Sequence, residues 1–121
     1  MSAVQDDYLL RMIRDAAIFL RRVFDARRRG SRGEALDTLD NAWFQLLGLP
    51  RNVAQRLDAA SLARLLAIPE RCTVAADLLE TEAALCDQDG LTVEAASLRE
   101  TARKLRIQPS ISGIQEPDPE A

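Results

Sequence analysis

The feature that most constrains this chain is a spacing that occurs twice. Gly30, Ala35 and Ala42 recur sixty residues later as Gly90, Ala95 and Ala102. In both copies a long amphipathic segment runs into the glycine and a shorter one leads away from it. Glycine tolerates the left-handed backbone that stops a helix, and small residues at fixed offsets on the next helix let two helices approach closely. The spacing therefore predicts an all-α chain, built as two antiparallel helical hairpins with a short helical insert between them.

Composition agrees with a helical reading. Leucine, alanine, arginine and glutamate dominate, whereas valine and isoleucine are sparse and only five residues are aromatic. A length of 121 residues fits one domain with a modest core. We assign that domain to residues 1–107, with hairpins at about 4–48 and 69–106 and the insert at 49–68. Residues 108–121 hold three prolines, three acids and no cation, and are expected to form a disordered acidic tail. The rest of the chain carries 16 cations and 16 anions, so the net charge of −3 lies in the tail. A neutral body has no general electrostatic drive towards nucleic acid or a membrane.

Periodicity places the helices. Leu9, Ile13, Ala16, Leu20 and Val23 form one apolar row of the first helix, and Tyr8, Met12, Phe19 and Ala26 a second. Leu10, Ala17 and Phe24 add a third. One antiparallel partner covers two such rows, so the third is expected to meet a second copy of the chain. Arg27, Arg28 and Arg29 suit the negative end of the helix dipole. The second helix, about 33–47, carries Ala35, Leu39, Ala42 and Leu46 inward, beside Leu36, Trp43 and Leu47, and Gly48 and Pro50 end it. In the middle section Asn52 or Asp58 is available as a cap, and Leu57, Leu62, Leu65 and Leu66 serve as anchors. Pro69 opens the third long helix, whose row is Cys72, Ala76, Leu79, Ala83 and Cys86, widened by Ala75, Leu78 and Leu85. Thr92 is the expected cap of the last helix, with Ala95, Leu98, Ala102 and Leu105 inward.

Cys72 and Cys86 sit 14 residues apart on one helix, hence about 21 Å along its axis, too far for a disulfide. Two small thiols on a buried stripe are the expected arrangement. Asp6 and Asp7 stand where a signal peptide needs cations, and the longest apolar run, Ala16 to Leu20, is far too short to span a bilayer. With unpaired cysteines, these features predict a cytoplasmic protein with no membrane association.

The hairpins resemble tetratricopeptide repeats, whose units place small residues where two helices cross. One such unit covers about 16–49 and the other about 76–109. Ala83, Gly90, Ala95 and Ala102 fall on the small-residue positions of the second, and Gly30, Ala35 and Ala42 on those of the first, where Val23 replaces a small residue. Most of the large aromatic positions lack an aromatic side chain, with Phe19 the best match, so the units are degenerate. Residues 5–106 also resemble an uncharacterised family of small bacterial all-helical proteins with a Gln-Asp-Tyr-Ile-x-Arg-x-Ile opening. Gln5-Asp6-Asp7-Tyr8-Leu9-Leu10-Arg11-Met12-Ile13 carries that opening with one extra Asp, and Leu46-Leu47-Gly48-Leu49 matches the Leu-Leu-Gly-Leu end of a helix. That family implies a fold and a bacterial origin, and no catalysis.

No catalytic constellation is present. Histidine is absent, and with it the commonest general base and metal ligand. Gly30 and Gly33 lack the strand and the Gly-Lys-Ser/Thr ending of a phosphate loop. A non-enzymatic protein-interaction module or scaffold, homodimeric and without cofactor or metal, is the resulting expectation. The tetratricopeptide resemblance places a partner surface on the first helix of each unit. A basic patch of Arg27 and Arg28 and an acidic patch of Asp77, Glu80 and Asp87 would then face a protein or peptide partner. Leu10, Ala17 and Phe24 are assigned to the dimer surface. Glu80, Glu82, Asp87, Asp89 and Glu94 read as a solvated acidic face. The alternative is a small nucleic-acid-binding regulator that uses Arg21, Arg22, Arg27, Arg28, Arg29 and Arg32, six cations within twelve residues. No aromatic stacking partners are expected near that cluster, which disfavours nucleic acid. A third option lets these arginines meet the acids of the second hairpin.

Overall fold

The computed structural model describes the backbone of residues 2–114 and the side chains of residues 7–107. Its elements are α1 (Ser2–Arg28), α2 (Arg32–Leu47), α3 (Arg51–Ala54), α4 (Ala59–Leu66), α5 (Pro69–Gln88) and α6 (Thr92–Ile114), with no strand among the described residues. The chain is thus all-α. α1 packs chiefly on α2, and α5 on α6; α5 also touches α1, α2 and α4, and α4 lies against α6.

The repeated spacing produces the same turn twice. Gly30 and Gly90 adopt φ of +76° and +78°, which a side chain would oppose. Gly30 N–H donates to Arg27 O at 3.0 Å, and Ser31 N–H reaches back to Ala26 O at 2.9 Å. Gly90 and Leu91 repeat both bonds, to Asp87 O at 3.0 Å and Cys86 O at 2.8 Å. This crossed pair satisfies carbonyls that a helix end leaves open. The following helices also begin alike, with Ala35 N–H on Ser31 O and Ala95 N–H on Leu91 O, each at 3.0 Å. Ala35, Ala42, Ala95 and Ala102 are all fully buried, so a methyl group stands at each helix contact. Val23 and Ala83, again sixty residues apart, are buried with them.

The core runs from α1 through α2 and α4 to α5 and α6, and Trp43 is its largest fully buried side chain. The Trp43 indole N–H has no hydrogen-bond partner among the described residues. An unmet buried donor costs about 1–3 kcal/mol. Burying an indole of roughly 200 Å² contributes about 5 kcal/mol at about 25 cal/mol per Å². Packing outweighs the lost bond.

Several local expectations are corrected. The buried seam of α1 is Met12, Ala16, Val23 and Ala26, with Leu9, Phe19 and Leu20 half-buried; Ile13, placed inward by its spacing, is exposed. A third apolar row had left the inward direction underdetermined, and contact with both α2 and α5 settles it. Leu65, expected as an anchor, is exposed as well. Thr92 is already the first helical residue of α6, and Leu91 carries the carbonyl that starts it. Asn52 lies inside α3, so Asp58 alone of the two caps a helix: its carboxylate accepts Ser61 N–H at 3.0 Å. α6 continues through Ile114, past the helix end expected at about 106 and with Pro109 inside it. The expected disorder of the tail beyond Ile114 concerns residues outside those described.

The join between α4 and α5 is strained. Ala67 adopts positive φ (+78°) without being glycine, and Ile68 N–H closes a tight turn onto Leu66 O at 2.9 Å. Pro69 forces Ile68 into extended backbone, at φ −118° and ψ 153°, and this leaves Ala67 to make the whole reversal.

Enlarging a helix contact tests the packing. Ala102→Leu is expected to destabilise by about 1–3 kcal/mol through overpacking, while Ser97→Leu, on an exposed position of the same helix, leaves the melting temperature nearly unchanged. Acid titration tests the cap. The bonds from Ser61 hold the Asp58 carboxyl below its ordinary range, so its contribution is present above that range and is lost as pH falls through the lowered value. Asp58→Ala should therefore melt earlier than the parent chain at neutral pH, and the gap should close in acid.

Candidate functional site

α1 exposes an apolar row that no other described element fully covers, although Ile13, Ala17 and Leu20 border α5. Leu10 (59% exposed), Ile13 (48%) and Phe24 (47%) lie along it, with Ala17 exposed and Leu20 half-buried between them. The spacing 10, 13, 17, 20, 24 alternates three and four, so these residues share one face of the helix. The three residues assigned to a dimer surface, Leu10, Ala17 and Phe24, are all on it.

Beside the row runs a seam between α1 and α5. One hollow of about 290 Å³ is lined by Ile13, Ala17 and Leu20 on α1 and by Glu70, Thr73 and Asp77 on α5. A second, about 120 Å³, lies between Arg27 and Gly30 on one side and Leu85, Gln88 and Asp89 on the other. Low-numbered residues of α1 thus face low-numbered residues of α5, and high face high. The two helices run in the same direction.

The charged candidates are divided by their contacts. Arg27 is half-buried at the second hollow, and its guanidinium lies 5.8 Å from the centre of the Phe24 ring; that of Arg28 lies 5.7 Å from the same ring. Asp77 and Glu80 do not stand free. Arg106 of α6 reaches them at 2.8 and 3.0 Å. Asp87 takes Arg99 at 2.6 Å. Of the arginine set, Arg29 binds Glu34 at 2.6 Å and Arg32 binds Asp89, which realises the third option for Arg32 within one chain. Arg21, Arg22, Arg27 and Arg28 make no ion pair among the described residues.

Glu82 corrects the reading of a solvated acidic face. It is only 7% exposed, and Arg51 Nη1 and Gln55 Nε2 donate to its two oxygens at 2.7 and 2.6 Å. Arg51 also donates through Nε to Asp40 at 2.6 Å. Burial pulls the Arg51 pKa down, but its contacts with Asp40 and Glu82 outweigh that effect and hold it above its ordinary value. This network was not anticipated. Its only sequence trace is one acid, Glu82, adjoining the apolar row of α5. Arg71 forms a second tie: its Nη2 and Nε donate to Leu47 O and Leu66 O, both at 2.9 Å, and its Nη1 to the Tyr8 hydroxyl at 3.3 Å.

Cys72 and Cys86 are buried and unbridged, and burial raises both thiols above their ordinary range. Buried thiols of this kind suit packing. Among the described residues no group of three or more acids and cysteines is gathered for a metal ion, and no helix is long and apolar enough to cross a membrane. No protein-family model, curated protein or solved structure matches the chain.

Removing Glu82 leaves the half-buried Arg51 guanidinium with the exposed Asp40 as its one remaining carboxylate. Glu82→Ala is expected to cost about 3 kcal/mol in urea unfolding. Asp40→Ala, at the exposed end of the same network, should cost less than about 1 kcal/mol.

Proposed function

We propose that this protein is a non-enzymatic protein-interaction module, and that the outer face of α1 pairs with a second copy of the chain. One observation carries the reading: Leu10, Ile13, Ala17 and Phe24 lie in an unbroken apolar row on the outside of the longest helix. Scattered apolar residues are normal on a surface, but a continuous row bordered by charges is the usual mark of an interface. In this reading the α1–α2 and α5–α6 pairs are antiparallel hairpins of degenerate tetratricopeptide type. The seam between α1 and α5 is their concave side, where a protein or peptide partner would dock near Arg27 and Arg28. A bacterial, cytoplasmic origin belongs to the same reading.

The rival, a nucleic-acid-binding regulator, draws on the four arginines without ion pairs. Two further members of the set are already held by carboxylates, and the Phe19 and Phe24 rings already lie under Arg22, Arg27 and Arg28. Duplex DNA binding that falls steeply with salt would favour the rival.

Light scattering of the full chain at micromolar concentration should report twice the chain mass. Phe24→Asp should return it to one chain mass without lowering the helical signal. A monomer in both cases removes the self-pairing reading.

A further inference from the structure

The apolar row has unlike borders. On one side Arg14, Arg21 and Arg28 repeat every seven residues, all exposed and none in an ion pair among the described residues. On the other, across the seam, α5 presents Glu70 and Asp77, with Glu80 and Asp87 further along the same helix; Arg106 holds Asp77 and Glu80 and Arg99 holds Asp87, so four acids meet two cations and the border keeps a net negative charge. Because α1 and α5 run in the same direction, the two series keep step. Ile13 and Leu20 lie at the level of Glu70 and Asp77, and Arg27 at the level of Leu85 and Gln88. Arg14 is therefore level with Glu70, Arg21 with Asp77 and Glu80, and Arg28 with Asp87. One heptad rises about 10.5 Å, so the register persists along the face.

This asymmetry bears on how two copies can meet. Resting on the reading of α1 as a dimer surface, we infer that the two α1 helices pair in parallel, about a two-fold axis that runs along them. Such an axis exchanges left and right but keeps height. The arginine border of each copy then falls on the net negative border of the other, twice per dimer, with Arg14 meeting the unpaired Glu70. An antiparallel pairing keeps left and right and reverses height. Centred on the row, at residue 17, it would set Arg14 against Arg21 of the partner subunit, with acids facing acids. Flanking charges set orientation in paired helices for this reason, and like charges across an interface are costly. The second copy is the occupant whose charges the face itself specifies.

Cysteine cross-linking separates the two orientations. Residue 17 lies midway between 10 and 24, so Ala17→Cys meets its own counterpart in either orientation. Leu10→Cys meets its counterpart only in parallel, and in the antiparallel case is separated from it by about 21 Å. Cys72 and Cys86 are buried, so the parent chain serves as the unlinked control. Under mild oxidation of the full chain, both variants are expected to give disulfide-linked dimers. Linkage of Ala17→Cys alone overturns the parallel arrangement and leaves the dimer standing. Linkage of neither variant, with a monomer in light scattering, removes the dimer and the inference together. A charge exchange supplies a second readout. Arg14→Glu and Glu70→Arg should each weaken self-association about tenfold, and an equimolar mixture of the two variants should restore it, since each altered border meets its complement. Failure of the mixture to recover overturns the assigned pairing.

Discussion

Neither helix pair of this chain can bury its apolar faces alone, and the rest of the structure depends on their docking. α1 with α2, or α5 with α6, is of a size at which a core on its own is marginal at best. α5 resolves this by facing several ways at once: it packs on α6 and also touches α1, α2 and α4. Its burial is correspondingly broad, from Cys72 and Val74 through Leu78, Leu79 and Leu85. A helix apolar around so much of its circumference is stable only inside such an assembly.

Apolar contact alone does not specify one arrangement, and two arginines supply direction. Arg71 gathers the terminal carbonyls of α2 and α4 and the Tyr8 hydroxyl of α1 onto one guanidinium. Those carbonyls have no partner within their own helices, so the bonds replace water that docking displaces. Arg51 does the same between α2, α3 and α5 through Asp40 and Glu82. The strained reversal at Ala67 lies between Arg51 and Arg71 in the chain, just before α5 begins.

The arginines that are not used in this way define the outer surface. Arg29, Arg32, Arg99 and Arg106 close ion pairs within the chain, whereas Arg14, Arg21 and Arg28 form a regular border beside exposed apolar side chains. Exposed pairs contribute little to stability but strongly affect which surfaces can approach. A nearly neutral body can thus carry an oriented electrostatic pattern that its net charge conceals.

What the sequence determined by itself is local. Glycines at 30, 48 and 90 ended helices because only glycine takes left-handed backbone without strain, and alanines at 35, 42, 95 and 102 marked helix contacts because only a small group fits there. The exposure of Leu10, Ala17 and Phe24 was also legible, as one apolar row more than a single partner can cover. The tertiary structure alone decided the rest. Ile13 faces outward because α2 and α5 together rotate the core face of α1 away from it. Glu82 is buried because Arg51 and Gln55, about thirty residues earlier, arrive at its side chain. Asp77, Glu80, Asp87 and Asp89 are engaged and not free because arginines on α2 and α6 come within reach once the helices pack. Helix stops and close contacts depend on the residue itself and its immediate neighbours, so periodicity and spacing reveal them. Ion pairs and the inward face of a broadly apolar helix depend on which distant segment is adjacent, and that is fixed only when the chain has packed.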